Sequence, residues 1–140
     1  MDCLFCKIAD KSIPSTVVYE DEFTLAFLDI HPLSEGHTVV IPKNHAENII
    51  DLPEELVKPL FLSVRKVAAF LKDALNPEGF TIGINHGKVS GQTIDHLHIH
   101  VIPRREGDGG KSIHSIVHNP PMEALQETRS KILKSINQQN

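Results

Sequence analysis

The sequence predicts a small α+β domain: a five-stranded antiparallel sheet with one long helix and a C-terminal helix. Three observations lead there. Five short runs of β-branched and apolar residues are separated by turns containing Asp, Pro or Gly. One longer run, from about 53 to 75, carries apolar side chains at helical spacing. Beyond residue 105 the chain turns polar and glycine-rich before a last amphipathic stretch. A chain of 140 residues has the size of one domain. At that length it buries roughly two thirds of the surface that an unfolded chain exposes, enough for a core without staples.

The elements follow in order. Residues 16–20 (Thr-Val-Val-Tyr-Glu) read as a strand, with Asp21-Glu22 as a tight turn. Residues 24–30 complete a hairpin. His31 to Gly36 is a loop punctuated by Pro32 and Gly36, and residues 37–42 form a third strand stopped by Pro42. Asp51 is placed to cap the long helix and Pro53 suits its first turn. Leu56, Leu60, Val64, Val67, Ala68 and Leu71 share a face. Pro59 lies inside, so the regular helix either starts there or is kinked. Asn76 to Gly79 ends it. Residues 80–85 and 94–103 are the fourth and fifth strands, with a two-glycine loop from His86 to Gly91 between them. Pro120-Pro121 opens the last helix, whose Met122, Leu125, Ile132, Leu133 and Ile136 form one face. Residues 1–105 make the domain. Residues 106–140 are an extension expected to pack on it.

Composition narrows the function. The formal net charge is −4, with no long block of one sign, which argues against charge-driven binding to nucleic acid. A small anionic substrate stays open, because a pocket can be locally positive in an acidic protein. Met1-Asp2-Cys3 has no basic region and no apolar run behind it, and no stretch approaches a membrane span. The expectation is a cytoplasmic protein with no membrane partner. Cys3-x-x-Cys6 in a reducing compartment suggests metal or redox chemistry rather than a structural disulfide.

The most informative segment is Asp95-His96-Leu97-His98-Ile99-His100-Val101-Ile102-Pro103. With a period of two, His96, His98 and His100 share one face, and Leu97, Ile99 and Val101 the other. Imidazoles are costly to bury unpaired, so such a row does not serve a core. Two chemistries suit it. A neutral imidazole is a nucleophile near neutral pH, with neighbours to donate hydrogen bonds. Three imidazoles also hold zinc in an open catalytic geometry. Spacing alone leaves both open.

His96-Leu97-His98-Ile99-His100-Val101-Ile102 resembles the motif of the histidine triad family at every position. Phe5-Cys6-Lys7-Ile8, Ile13-Pro14, Tyr19-Glu20-Asp21, residues 25–30, Gly36-His37, Val40-Ile41-Pro42-Lys43, His45, Asn85-x-Gly87 and Gly91-Gln92-Thr93 look like its landmarks, in order. The resemblance covers roughly residues 3 to 105. It implies a two-step hydrolysis in which His98 attacks the α-phosphorus and water then releases AMP or GMP. Phosphoramidates, nucleotidyl conjugates and dinucleoside polyphosphates are the substrates it implies. His100 and His37 would bond the phosphate oxygens or hold the array, with His96 as its first member. Asn85, Gln92 and Thr93 would line the phosphate and leaving-group side, and Gly91 would let the backbone approach. Asp29 would take both ribose hydroxyls. Leu4, Phe5, Ile8, Ile13, Phe27 and Ile30 would form the base slot, with Ile30 or Phe27 also serving the core.

The resemblance further implies a structural zinc on Cys3, Cys6, His45 and His96, as in some bacterial and archaeal members, and no organic cofactor. A redox pair is the weaker reading, since no strand precedes Cys-x-x-Cys. It implies a homodimer joined through the long helix and the fourth strand. Two departures bear on the leaving group. Leu28 replaces a histidine of the animal phosphoramidase branch. Gly91-Gln92-Thr93 and Pro103 to Asp108 look more like the fragile-histidine branch, which cleaves dinucleoside polyphosphates. A nucleotidyltransferase and a non-catalytic nucleotide-binding regulator are the rival functions. His114 and His118 read as solvated tail residues.

Overall fold

A computed structural model describes residues 2–139. In chain order these form α1 (Leu4–Ala9), β1 (Val17–Glu20), β2 (Thr24–Leu28), β3 (Thr38–Pro42), α2 (Glu54–Leu75), β4 (Gly79–Gly83), β5 (Ile99–Arg104) and α3 (Leu125–Gln139), with single 3₁₀ turns at Lys88–Ser90 and Ile113–Ser115. The five strands make one sheet in the order β1-β2-β3-β5-β4, every neighbouring pair antiparallel. The expected α+β class and five-stranded sheet are therefore present. No helix among the described residues is long and apolar enough to cross a membrane.

The sheet is covered on both faces, which explains why β2 and β3 read as near-continuous apolar runs. Ala26, Val40, Leu97, Ile99 and Val101 pack with Leu60, Val64, Val67 and Leu71 of α2. Leu25, Phe27, Val39 and Ile41 point the other way, against Cys3, Phe5 and Ile8 of the N-terminal segment. That second cover is α1, which the hydrophobic pattern missed. A helix of six residues is too short for periodicity to register. It is started by Cys3, whose Sγ accepts the Cys6 N–H.

Other boundaries shift for local reasons. β2 ends at Leu28 because the Asp29 carboxylate accepts the His31 N–H and turns the chain. β5 starts at Ile99 rather than at residue 94. Residues 94–96 bend, with the His96 N–H on the Ile94 carbonyl and the Leu97 N–H on the Ala46 carbonyl. Asp51 does not cap α2. It accepts from Asn48, whose own side-chain oxygen accepts the Ile50 and Asp51 N–H groups, and Pro53 stands at the N-cap position. Pro59 neither starts nor ends α2, which runs from Glu54 through it to Leu75. The proline removes one bond near the first turns.

The chain separates into two compact units between Gly110 and Lys111. Within the first, Arg104 pairs with Asp108 at 2.6 Å and donates to Thr81 Oγ1, closing the chain after β5. The second holds α3, which starts at Leu125 rather than at the Pro120-Pro121 pair. Glu123, just before it, accepts from Thr128 and Lys131. No described residue of that unit is fully buried.

Asp21 organises the β1–β2 turn. Its carboxylate accepts from the Phe23 and Thr24 N–H groups, Thr24 Oγ1, Tyr19 Oη and Ser63 Oγ of α2, all at 2.9–3.0 Å. Burial alone would raise its pKa, but these donors outweigh it and hold the value at about 2. A carboxyl with a depressed folded pKa stabilises above its ordinary value, and that contribution is lost as pH falls from about 4 towards 2. Asp21→Asn is expected to destabilise the fold by about 1–3 kcal/mol at pH 7, measured by denaturant unfolding. It should also show a smaller loss than the wild type between pH 4 and 2. Equal stability at pH 7 would contradict this role.

Candidate active site

The histidine row survives the shortened strand. Leu97, Ile99 and Val101 enter the α2 core, and the three imidazoles lie on the α1 side of the sheet. The edge-on Phe5 ring sits 5.0 Å from the His98 ring and 6.0 Å from that of His96, while the His98 and His100 rings are 5.2 Å apart. His98 Nδ1 lies 2.7 Å from the His96 carbonyl oxygen. A carbonyl only accepts, so Nδ1 carries the proton and Nε2 the lone pair. No buried side-chain nitrogen or oxygen among the described residues lacks a partner. The unpartnered His98 Nε2 is therefore open to solvent.

His37 lies beside this row on β3's leading edge. Its Nδ1 is 3.1 Å from the Leu33 nitrogen, its Nε2 is 2.9 Å from His100 Nδ1, and Asp29 Oδ2 is 3.6 Å from the same Nε2. Burial lowers the His37 pKa, partly opposed by Asp29. Burial, and then His98 and His37, push His100 down to about 4. Both are neutral at pH 7.

The expected nucleotide-contacting residues divide. Phe5, Ile8 and Phe27 are buried together beneath the row, with Ile13 packed against them and Leu4 partly exposed. Ile30 is 84% exposed, so of the two residues expected to share slot and core it is Phe27 that lies in the core. Ile30 follows the Asp29 turn, beyond the end of β2. Gln92 is buried and its amide is fully engaged. Its oxygen accepts the Gly87 N–H, and its nitrogen donates to the Glu47 and Ile94 carbonyls. Gln92 thus shapes the loop that carries Asn85, Gly91 and Thr93. Gly91 has φ +102, and a Cβ there would meet only the Asn85 side chain, at 3.7 Å. Backbone conformation rather than crowding selects glycine there.

Cys3, Cys6, His45 and His96 meet as a second group, their ligand atoms all within 4.8 Å of one another. Cys3 Sγ is 3.4 Å and Cys6 Sγ 3.6 Å from His96 Nδ1, and Cys6 Sγ is 3.4 Å from His45 Nδ1. Tetrahedral zinc with bonds of about 2.3 Å to sulfur and about 2.0 Å to nitrogen sets S···N edges near ~3.5 Å. His96 Nε2 lies 2.8 Å from the Pro42 carbonyl, so its proton is there and the Nδ1 lone pair faces the thiols. Without a cation, burial and then the neighbouring Cys3 push the Cys6 thiol up to about 11. The donor set and its geometry fit a metal. A cavity of about 550 Å³ opens beside this group, lined by Cys3, Leu4, Ile13, His45, Thr93 and Asp95 among others. His98 and Asp29 do not line it.

The HIT domain family matches residues 10–107. The match takes in His37, His45 and the whole histidine row, and starts after Cys3 and Cys6. The crystal structure of a HIT family member from Bacillus subtilis superposes with a TM-score of 0.85 at 43% identity, covering 96% of each chain. The adenosine 5'-monophosphoramidase hnt1 of Schizosaccharomyces pombe is 38% identical over 113 residues, 81% of this chain and 82% of that one. A zinc-bound histidine triad family protein from Mycobacterium smegmatis superposes with a TM-score of 0.72 at 34% identity, covering 100% of this chain and 99% of the other.

The neutral rings of His37, which is buried, and His100, which is half-buried, make stability depend on pH. A histidine with a depressed folded pKa takes up its proton more readily unfolded, so stability falls as pH drops from about 6.5 towards 4. Denaturant unfolding from pH 7 to 4.5 is expected to show this loss, and His100→Gln a flatter dependence. A wild-type stability that is level or rises over that range would contradict the burial assigned to these rings.

Proposed function

The chain belongs to the HIT domain family, and from that premise we propose that it is a nucleotide hydrolase acting through a covalent intermediate on His98. One observation carries the reading. The His96 carbonyl accepts a hydrogen bond from His98 Nδ1–H, which leaves the Nε2 lone pair unpartnered. That nitrogen attacks the α-phosphorus. A P–N bond forms as the bond to the leaving group breaks, and the leaving group departs with the electron pair and takes up a proton. Water then attacks phosphorus and loses a proton to solvent, the P–N pair returns to the imidazole, and AMP or GMP is released. Splitting one displacement into two lowers each barrier.

The other residues bind and orient. Neutral His100 serves the phosphate oxygens, where developing charge makes donors most effective, and His37, bonded to His100, holds the array. Asp29 takes the ribose hydroxyls. Phe5, Ile8, Ile13 and Phe27, with Leu4 and Ile30 at the margin, hold the base. Asn85, Gly91 and Thr93, on the loop braced by Gln92, face the leaving group. The substrates are phosphoramidates, nucleotidyl conjugates or dinucleoside polyphosphates. The phosphoramidase activity in the name of the fission-yeast relative favours the first.

Cys3, Cys6, His45 and His96 would hold zinc, whose bonds would tie α1 to the segment carrying His98. The zinc-bound relative and the S···N spacing support this. The enzyme is proposed to act as a homodimer through α2 and β4, which leave Phe61, Leu62, Phe70 and Ile82 exposed.

Incubation with adenosine phosphoramidate, and separately with diadenosine tri- and tetraphosphate, is expected to release AMP from at least one. His98→Ala should lower kcat by more than about a thousandfold while nucleotide affinity stays within a few-fold. Bound nucleotide without turnover in the wild type would favour the regulator, and substantial turnover in His98→Ala would remove the nucleophile. Elemental analysis should find about one zinc per chain, and the double variant Cys3→Ser/Cys6→Ser should melt at lower temperature. An unchanged melting curve and no metal would remove the zinc reading.

A further inference from the structure

The loop between β2 and β3 brings a main-chain group to the active site. Leu33 N–H points at His37 Nδ1 from 3.1 Å. An amide N–H only donates, so His37 Nδ1 must accept and the proton of the neutral ring must sit on Nε2. His37 Nε2 is 2.9 Å from His100 Nδ1. With its proton donated there, His37 makes His100 Nδ1 an acceptor as well, and the His100 proton is left on Nε2. That nitrogen has no partner among the described residues and is not sealed from solvent.

We propose that the main-chain N–H of Leu33 is a positioning group for catalysis: it sets the tautomer of His37, and through it that of His100, so that His100 offers an Nε2–H donor to the substrate phosphate while remaining neutral. The inference rests on the hydrolase reading above for its consequence, and on the two hydrogen bonds alone for its chemistry.

The loop is built to hold that N–H still. Asp29 accepts the His31 N–H at 2.8 Å, Ser34 Oγ donates to the Pro103 carbonyl at 2.8 Å, and the His37 N–H bonds the Ser34 carbonyl at 3.1 Å. Gly36, at φ +87, lies so near α2 that a Cβ would come within 2.5 Å of Leu75 Cδ1. The Leu33 side chain, by contrast, is 75% exposed, so the residue contributes its amide rather than its side chain.

The same proton placement separates the two histidine groups. Ligand atoms of Asp29, His37 and His100 also lie within 4.8 Å of one another. His37 Nε2 carries a proton there and has no lone pair to give a metal. That group is a hydrogen-bond array, whereas His96 turns a bare Nδ1 towards two thiols.

Long-range ¹H–¹⁵N correlation spectra of the imidazoles in the full chain at pH 7.5 test the proposal directly. Both His37 and His100 are expected as the Nε2–H tautomer. Leu33→Pro deletes the donor and should shift His37 towards a mixture of tautomers. It should also lower kcat by about a hundredfold with KM within a few-fold, as expected for a donor lost from the transition state. Leu33→Ala keeps the N–H and should match the wild type in both readouts. A wild-type His37 protonated on Nδ1 would overturn the proposal. So would Leu33→Pro with unchanged tautomers and kcat, or Leu33→Ala as damaging as Leu33→Pro. If Leu33→Pro fails to fold, the wild-type spectrum decides alone. If no nucleotide is hydrolysed by the wild type, the hydrolase reading fails while the spectra still decide the tautomers.

Discussion

The site depends on His96, all of whose side-chain and carbonyl polar atoms are committed. Its Nε2–H donates to the Pro42 carbonyl, its Nδ1 faces Cys3 and Cys6, and its own carbonyl accepts from His98 Nδ1–H. The ring is wholly buried, so each commitment also removes an orphaned polar atom. A residue held on three sides fixes the backbone two positions before His98. His98 Nε2 is thus aimed by main chain, with no separate carboxylate needed to orient its ring.

This arrangement also explains the bend that shortens β5. A regular strand through residues 94–98 would pair its N–H groups with a neighbour. Instead the Leu97 N–H bonds the Ala46 carbonyl, and His96 turns in towards α1. Side-chain alternation survives because Leu97 is drawn into the α2 core and His96 into the polar cluster. Burial preferences, rather than ladder hydrogen bonds, hold the row's direction there.

Much of this was legible in the sequence. Three histidines alternating with Leu97, Ile99 and Val101 gave the row its face, and β2 and β3 stood out as apolar runs. Cys3-x-x-Cys6 pointed to metal or redox chemistry and the family resemblance added His45 and His96, and those atoms do converge. What stayed hidden was short or carried by main chain. α1 has six residues and starts on a cysteine cap. The Leu33 N–H and the carbonyls of His96 and Pro42 have no residue type to announce them. Asp51 was a plausible cap by type, but Asn48 claimed it. Gln92 was the right type for a phosphate contact, yet its amide is consumed by the Glu47 and Ile94 carbonyls and the Gly87 N–H. Ile30 and Phe27 were equal candidates for the core by type, and Ile30 is left outside because it lies past a turn that the Asp29 carboxylate makes.

The proposed chemistry requires that His98 Nε2 become bonded to phosphorus. Rapid acid-free quenching during turnover of adenosine phosphoramidate, followed by intact mass and peptide fragmentation, tests it most directly. One nucleotidyl group per active chain is expected, attached to His98, appearing and decaying within the turnover time. Turnover with the adduct on another residue, or with no adduct under conditions where product release is fast and hydrolysis slow, would contradict it.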